Sequence, residues 1–272
     1  MRTGSSCRPL VEYLSPAKRF VVEVGPGGGV LTGELLAAGA TVLALELDPE
    51  WAEHLRRRFQ TPRLEIRVAD ALELDWTGLP ARTLVTGNLP YNVGTAIVER
   101  VLRAHPPIDR AAFLLQREVV ERMIAEPGDR PYGALSVLVQ LRATARKLGI
   151  VKPGAFVPPP KVDSAFVGLE LHPPPAILAG ERSQDFESWI HAAFNQRRKT
   201  LPNALAGRYP RERVLAALES ANLPATIRAE AIPLFELFQL FAQLENRARE
   251  PDPASSSSPG GTILPKGIQT EH

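Results

Sequence analysis

From residue 20 to about residue 173, short β-branched runs alternate with amphipathic stretches. Phe20-Val21-Val22-Glu23-Val24 reads as a buried strand, and glycines follow it. Val30, Leu31, Leu35 and Leu36 then recur at helical spacing. Thr41 to Leu45 is predicted as a second strand, and a helix begins near Pro49, a residue suited to a first turn. Leu64 to Val68 makes a third strand, and Thr83 to Thr86 a fourth that runs into Gly87-Asn88-Leu89-Pro90-Tyr91. Ile97 to Leu102 continues as a helix, Ala111 to Leu115 is a fifth strand, and Val162 to Leu171 is the last. Strands alternating with helices predict an α/β class: a Rossmann-like, mostly parallel sheet with helices on both faces.

The pattern changes at His172-Pro173-Pro174-Pro175, which stops the last strand and predicts a boundary. Residues 184 to 247 hold no clear strand; they read as short helices with Trp189, Ile190, Phe194, Leu201 and Leu205 on one side. The predicted organisation is an N-terminal segment 1–19, a large α/β domain 20–175, a small all-α domain 176–248 and a disordered tail 249–272. The tail run Ser255-Ser256-Ser257-Ser258-Pro259-Gly260-Gly261 cannot support a core.

A hydrophobic fraction of 44% is ordinary for a globular chain, and the net charge of +2 neither demands nor excludes a nucleic-acid partner. The single cysteine, Cys7, excludes an internal disulfide and a cysteine-rich metal site, and no metal is expected. No run is long and apolar enough to span a bilayer, and the first twenty residues lack a secretory signal, so the cytoplasm is the expected compartment.

The turn Glu23-Val24-Gly25-Pro26-Gly27-Gly28-Gly29 joins a strand to a helix. Glycines there let the backbone approach a ligand, and the helix start presents free N–H groups. The dinucleotide pattern needs a glycine where Val30 stands, which counts against a nicotinamide enzyme. Glu46 ends the second strand, where a carboxylate can accept both hydroxyls of a ribose. Asp70 follows the third, where it can accept a hydrogen bond from an adenine amine. Either acid alone reads equally as a solvated strand end; their combination with the glycine turn is what points to a nucleotide-like ligand.

Gly87-Asn88-Leu89-Pro90-Tyr91 is expected on the same rim, after the fourth strand. An exocyclic adenine amine is a poor nucleophile because its lone pair is delocalised into the ring. Acceptors aimed at its two N–H bonds, the Asn88 side-chain oxygen and the Leu89 carbonyl, favour the pyramidal, reactive amine. Pro90 fixes the turn, and Tyr91 can stack on a base that has left its helix. Such a site works by positioning and electrostatics and needs no general base. In isolation the tetrapeptide reads equally as an ordinary loop.

The runs Val22-Glu23-Val24-Gly25-Pro26-Gly27, Leu45-Glu46-Leu47-Asp48, Asp70-Ala71-Leu72 and Gly87-Asn88-Leu89-Pro90-Tyr91-Asn92 together resemble the rRNA adenine N6-dimethyltransferase family. So do Leu115-Gln116-Arg117-Glu118-Val119, Tyr132-Gly133 with Leu135 to Leu138, Gly154 to Ala165, and Ala193-Phe194-Asn195-Gln196-Arg197-Arg198-Lys199-Thr200-Leu201. The resemblance covers residues 20 to 247, and the last two motifs are the most specific to its small-subunit branch. It implies an S-adenosylmethionine-dependent methyltransferase domain whose cofactor residues are Glu23, Gly25, Gly27, Glu46, Asp70, Ala71 and Asn88. It also implies a catalytic set of Asn88, Leu89, Pro90 and Tyr91, with Phe156 holding the target base against Tyr91. The implied substrate is a pair of adjacent adenines in a hairpin loop near the 3′ end of small-subunit rRNA in an assembling 30S particle, and the enzyme is expected to act as a monomer. One motif of the family is missing: residues 1–19 contain no Gln-Asn-Phe-Leu segment that would fold over the cofactor. Either the chain starts late or the lid is built differently.

Arg197, Arg198 and Lys199, followed by Arg208 and Arg211, form a basic cluster in the helical part that is expected to contact RNA phosphates. Arg56-Arg57-Arg58 reads instead as a solvated helix face. Two rivals remain open at this point. One is the class that methylates an adenine of large-subunit rRNA and confers antibiotic resistance; the other is a non-catalytic RNA-binding assembly factor.

Overall fold

The computed structural model describes residues 7–246 except 91, 105, 157–158, 176–177 and 179–180. Helix α1 (Arg8–Leu14) leads into strand β1 (Phe20–Val24), helix α2 (Val30–Ala37) and strand β2 (Thr41–Glu46). Helix α3 (Pro49–Arg58), strands β3 (Leu64–Val68) and β4 (Thr83–Asn88), helix α4 (Gly94–Arg103) and strand β5 (Ile108–Gln116) follow. Helices α5 (Arg117–Met123) and α6 (Ala134–Arg142) then precede strands β6 (Ala143–Val151) and β7 (Ser164–Leu171). The C-terminal part holds α7 (Glu181–Phe194), α8 (Leu201–Ala204), α9 (Arg211–Ser220) and α10 (Leu234–Asn246).

The strands form one seven-stranded sheet in the order β3-β2-β1-β4-β5-β7-β6. The pairs among β1 to β5 are parallel, and β7 runs antiparallel to both β5 and β6. The order reverses between β1 and β4. Crossovers that diverge on either side of that point leave a crevice at the strands' carboxyl ends, where ligands of such sheets bind. The two strands approach closely there: a Cβ on Gly87 would lie 2.4 Å from the Val24 carbonyl oxygen.

Local chemistry explains the elements that frame this crevice. Asp48 caps α3, its carboxylate accepting from the Glu50 N–H at 2.8 Å, while Pro49 starts the helix and Arg56, Arg57 and Arg58 lie in its last turn. Gly29 precedes α2 at φ 76°, and a Cβ there would meet Leu55 and Phe59 at 2.6 Å, so glycine is what lets α3 pack against the turn.

One apolar cluster, with Val22, Val24, Leu43, Leu45, Val85 and Phe113, fills the sheet face under α4 to α6. On the opposite face Val21, Val42, Ala44 and Leu84 pack with Leu10 and Leu14 of α1 and Leu31 and Leu35 of α2. A third cluster forms the helical part around Phe186, Trp189, Leu237 and Phe241, and it takes in Tyr132, Val137 and Leu141 beside and within α6. The C-terminal helices thus dock on α6. An ion cluster fastens them: buried Glu187 of α7 pairs with buried Arg142 at 2.9 Å and with the more exposed Arg103 at 2.8 Å, and Arg142 also donates to the Ser183 hydroxyl.

Strand β6 was not anticipated from the sequence pattern. It is an edge strand whose Thr144, Arg146 and Lys147 are exposed, so its side chains do not alternate as a half-buried strand does. No helix among the described residues is long and apolar enough to cross a membrane. The expected tail 249–272 lies outside the described residues.

Candidate active site

The carboxyl ends of β1, β2, β3 and β4 bring Gly25, Gly27, Glu46, Asp70 and Asn88 onto one rim of the sheet. Gly25 and Gly27 adopt φ values of 65° and 50°, which a side chain would oppose. A Cβ on Gly25 would stand 3.9 Å from the Asn88 carbonyl oxygen, and one on Gly27 would meet nothing within 4 Å. The turn therefore bares its backbone toward open space across from the end of β4.

Glu46 is held by that turn and by its own loop. Its Oε2 accepts from the Gly27 N–H at 3.0 Å and its Oε1 from the Asp48 N–H at 3.1 Å. Each carboxylate oxygen keeps a lone pair, so the group is oriented yet able to accept two ribose hydroxyls. Asp70 accepts from the Leu72 N–H at 2.8 Å, which fixes its carboxylate after β3. Ala71 is buried in the main core, and its carbonyl accepts from Trp76 Nε1 at 3.0 Å. Leu47, not singled out from the sequence, is 68% exposed directly beside Glu46. An apolar side chain left bare there suits the face of a purine; the signal in the sequence was an apolar residue placed between two acids.

Glu23 lies beneath the rim, only 1% exposed, and accepts from the Thr32 hydroxyl of α2 at 2.7 Å. Burial, reinforced by the nearby Glu46 charge and opposed by the Thr32 bond, pushes its carboxyl up to about 7 from 4.5. The folded protein holds this proton to about pH 7, whereas the unfolded chain releases it near pH 4.5. Stability from this group is complete below pH 4.5 and is lost as pH rises through 7. Glu23→Gln is expected to remove that part of the pH dependence, an effect on the order of 3 kcal/mol. Denaturation of both proteins from pH 4.5 to 8 checks it, and parallel curves would refute it.

The end of β4 is fixed on all sides. The Leu89 N–H donates to the Leu114 carbonyl at 3.1 Å, and the Val93 and Gly94 N–H groups donate to the Pro90 carbonyl at 3.3 and 2.9 Å. Leu89 is buried and Asn88 half-buried, on the same rim as Gly25. Tyr91 lies outside the described residues. Phe156 follows a short 3-10 turn, Pro153–Ala155, and is buried in the cluster under α1 and α2.

The basic cluster divides by contact. Arg197 is a strut: its guanidinium donates to the Arg130 and Tyr132 carbonyls and lies 3.5 Å from the Glu230 carboxylate. Arg208 reaches Ser188 at 3.3 Å and Glu245 at 3.7 Å, and Arg211 donates to the Asn203 side chain. Arg198 and Lys199 are exposed and make no side-chain hydrogen bond or ion pair among the described residues. Beside Arg197 a cleft of about 920 Å³ opens between α5 and α7, with Arg122, Arg130 and His191 on its walls against Glu118 and Glu121.

Comparison with known proteins extends this picture. Residues 11–245 match the family model described as ribosomal RNA adenine dimethylase. A ribosomal RNA small subunit methyltransferase A from Acidobacterium capsulatum is 38% identical over 250 residues, covering 90% of this chain and 88% of the relative. Among solved structures, a dimethyladenosine transferase from Plasmodium falciparum superposes with a TM-score of 0.78 at 21% identity, covering 91% of this chain and 98% of that one. The 23S rRNA methyltransferase ErmE gives 0.67 at 29% identity, covering 89% and 97%.

Proposed function

The chain belongs to the ribosomal RNA adenine dimethylase family, and from that premise we propose how its residues carry the reaction. The protein is a small-subunit rRNA adenine dimethyltransferase dependent on S-adenosylmethionine. The residues on the rim fit that cofactor: an oriented carboxylate at Glu46 for the ribose, an exposed Leu47 and a fixed Asp70 for the adenine, and glycine backbone with no side chain in the way. When bound, it supplies an electrophilic methyl group on a sulfonium.

The chain's part is to hold a nucleophile still. Asn88 and the Leu89 carbonyl accept the two N–H bonds of the target amine, draw it out of conjugation with its ring and aim its lone pair at the methyl group. Pro90 locks the turn, and Tyr91 and Phe156 hold the base by its faces. The methylated nitrogen then gives its proton to water. Ala71 closes the adenine side of the pocket, and Glu23 positions the glycine turn through Thr32. On a helical domain spanning 176–248, the exposed Arg198 and Lys199 face the phosphates of the RNA, while Arg197, Arg208 and Arg211, held by protein partners, shape the surface that carries them. We read the substrate as two adjacent adenosines in a hairpin loop near the 3′ end of 16S rRNA, met in an assembling 30S particle by a cytoplasmic monomer.

The observation that carries this reading is the approach of the glycine turn to the end of β4, so close that a Cβ added to Gly25 would stand 3.9 Å from the Asn88 carbonyl oxygen. A cofactor laid on the turn and a base held at Asn88 would thus be neighbours on one rim. Incubation with radiolabelled S-adenosylmethionine and small subunits lacking the modification, followed by nucleoside analysis, tests it. Labelled dimethyladenosine in small-subunit rRNA is expected; label in large-subunit rRNA would overturn it. Glu46→Gln keeps the side chain's size and loses its charge, and is expected to weaken cofactor binding by roughly 10- to 30-fold. Calorimetry with S-adenosylhomocysteine measures this, and an unchanged affinity would remove Glu46 from the site.

A further inference from the structure

At the end of the sheet opposite the active rim, four arginines converge on two carboxylates. Arg82 precedes β4, Arg110 lies near the start of β5, Arg146 near the start of β6, and Arg19 just before β1. Arg82, Arg110 and Arg146 line a recess of about 320 Å³ together with Tyr13, Asp109 and Glu170, a volume at the lower end of the range that holds small ligands. Asp109 is largely neutralised by Arg19, whose Nη2 lies 2.8 Å from both of its carboxylate oxygens. Arg110 sits across from Glu170 in the β5–β7 register and donates to the Tyr13 carbonyl at 3.1 Å. Arg146 stacks over the Tyr13 ring at 4.7 Å. That ring is itself seated on Gly168, where a Cβ would clash with it at 2.6 Å. With Arg19 counted behind Asp109, four guanidinium groups stand against two carboxylates, an excess of two positive charges around the recess.

Arg82 is the second observation. Its φ of 62° is a left-handed conformation that a non-glycine residue enters at a cost, and its side chain is 77% exposed. No packing is gained in return. Instead Arg19 donates to the Arg82 carbonyl through Nε at 3.1 Å and through Nη2, so the strained backbone is held in place from behind. The exposed guanidinium stands 3.7 Å from Asp109, a loose pair beside the bidentate one that Asp109 already makes. A planar fork held open at a concave, positively charged surface is the group suited to a phosphate.

We propose that Arg82, Arg110 and Arg146 form a phosphate-binding site for the backbone of small-subunit rRNA, a second grip on the substrate remote from the chemistry. The inference rests on the rRNA substrate given above. The nine residues of β5 that separate the two ends of the sheet span roughly 26–30 Å. RNA folded in a particle reaches both ends, while a short RNA carrying only the target loop engages the active rim alone. The site reads no sequence; it sets orientation and adds to the salt dependence of binding.

The test uses the full chain with small subunits lacking the modification. Particle binding is measured against salt for the wild type, Arg82→Ala/Arg146→Ala and Arg82→Lys/Arg146→Lys. Each lost phosphate contact lowers the slope of log K against log salt by about 1, so the alanine pair is expected to lower it by about 2. Its affinity is expected to fall about tenfold or more, with the lysine pair keeping most of the slope. Methylation of the short loop RNA, cofactor binding and thermal melting stay as in the wild type. An unchanged slope in a folded alanine variant overturns the inference. Saturable binding of inorganic phosphate, lost in that variant while particle binding is unaltered, overturns it in favour of a free anion. An equal loss on the short loop RNA overturns it in favour of a disturbed active rim. A wild-type chain that binds no particle brings down the substrate reading, and this site with it.

Discussion

Asn88→Ala is expected to slow methyl transfer by about 100- to 1000-fold, the usual loss when one preorganised polar group is removed from a transition state. The position leaves little room for compensation. Asn88 is the last residue of β4, paired in register with Leu114, and the next N–H is bonded to the Leu114 carbonyl at 3.1 Å. The turn beyond it is closed by two bonds to the Pro90 carbonyl. Gly94 allows α4 to start against it, since a Cβ there would strike Leu115 at 2.6 Å. On the proposed role, such a frame would hold the acceptor at the target amine, and its energy would appear in the rate. Single-turnover rates with saturating cofactor and particle should therefore fall far more than RNA affinity. Asn88→Asp keeps an acceptor oxygen and is expected to lose less. A decrease below tenfold in Asn88→Ala would show that the Leu89 carbonyl and base stacking suffice without the side chain.

Glu187→Ala is expected to cost roughly 3–5 kcal/mol of stability, because it leaves the Arg142 guanidinium buried without its partner charge. Side-chain exposure is 11% at Arg142 and 9% at Glu187, and Arg103 reaches the same carboxylate from α4. The carboxylate thus ties α4 and α6, beneath the sheet, to the first helix of the C-terminal part. A melting temperature lower by about 10 °C would match that loss. Glu187→Gln retains acceptors and donors in the same shape and should lose less. Adding Arg142→Ala to Glu187→Ala should recover part of the stability, since the orphaned charge is removed with its site. A loss under 1 kcal/mol in the single variant would mean that water reaches the pair. The expected functional signature is weaker methylation of particles with cofactor affinity unchanged, because what loosens is the seating of the helices.

Much of the sheet was legible in advance. Strands β1, β2, β4, β5 and β7 each carry a compact apolar run, as central strands covered on both faces must, while β3 at the edge shows the alternation Leu64, Ile66, Val68 with charged residues between. The glycine turn, Glu46, Asp70 and the Asn88 turn were legible too, because each sits next to the strand whose end it decorates. Strand β6 was not: it is an edge, its partner β7 lies beyond a proline-rich connection, and Arg146 and Lys147 have no reason to alternate with apolar residues where one flank faces solvent. Leu47 escaped notice because exposure cannot be read from residue type; a leucine between Glu46 and Asp48 looks like one more strand residue.

Local patterns were enough to read the order of most elements, the class of fold and the placing of the glycine turn, Glu46, Asp70 and Asn88 at strand ends. All three follow from interactions within a few residues: periodicity, turn geometry, and side chains carried at strand ends. Which charges are struts and which stand exposed follows from the packed fold. Arg197 meets carbonyls 65 and 67 positions away, and Glu187 meets arginines 45 and 84 positions away. Arg19 caps the carbonyl of Arg82 across 63. An arginine's role depends on the dielectric around it and on the acceptor it finds, and both are fixed by chain segments that are brought together only when the sheet closes on its helices.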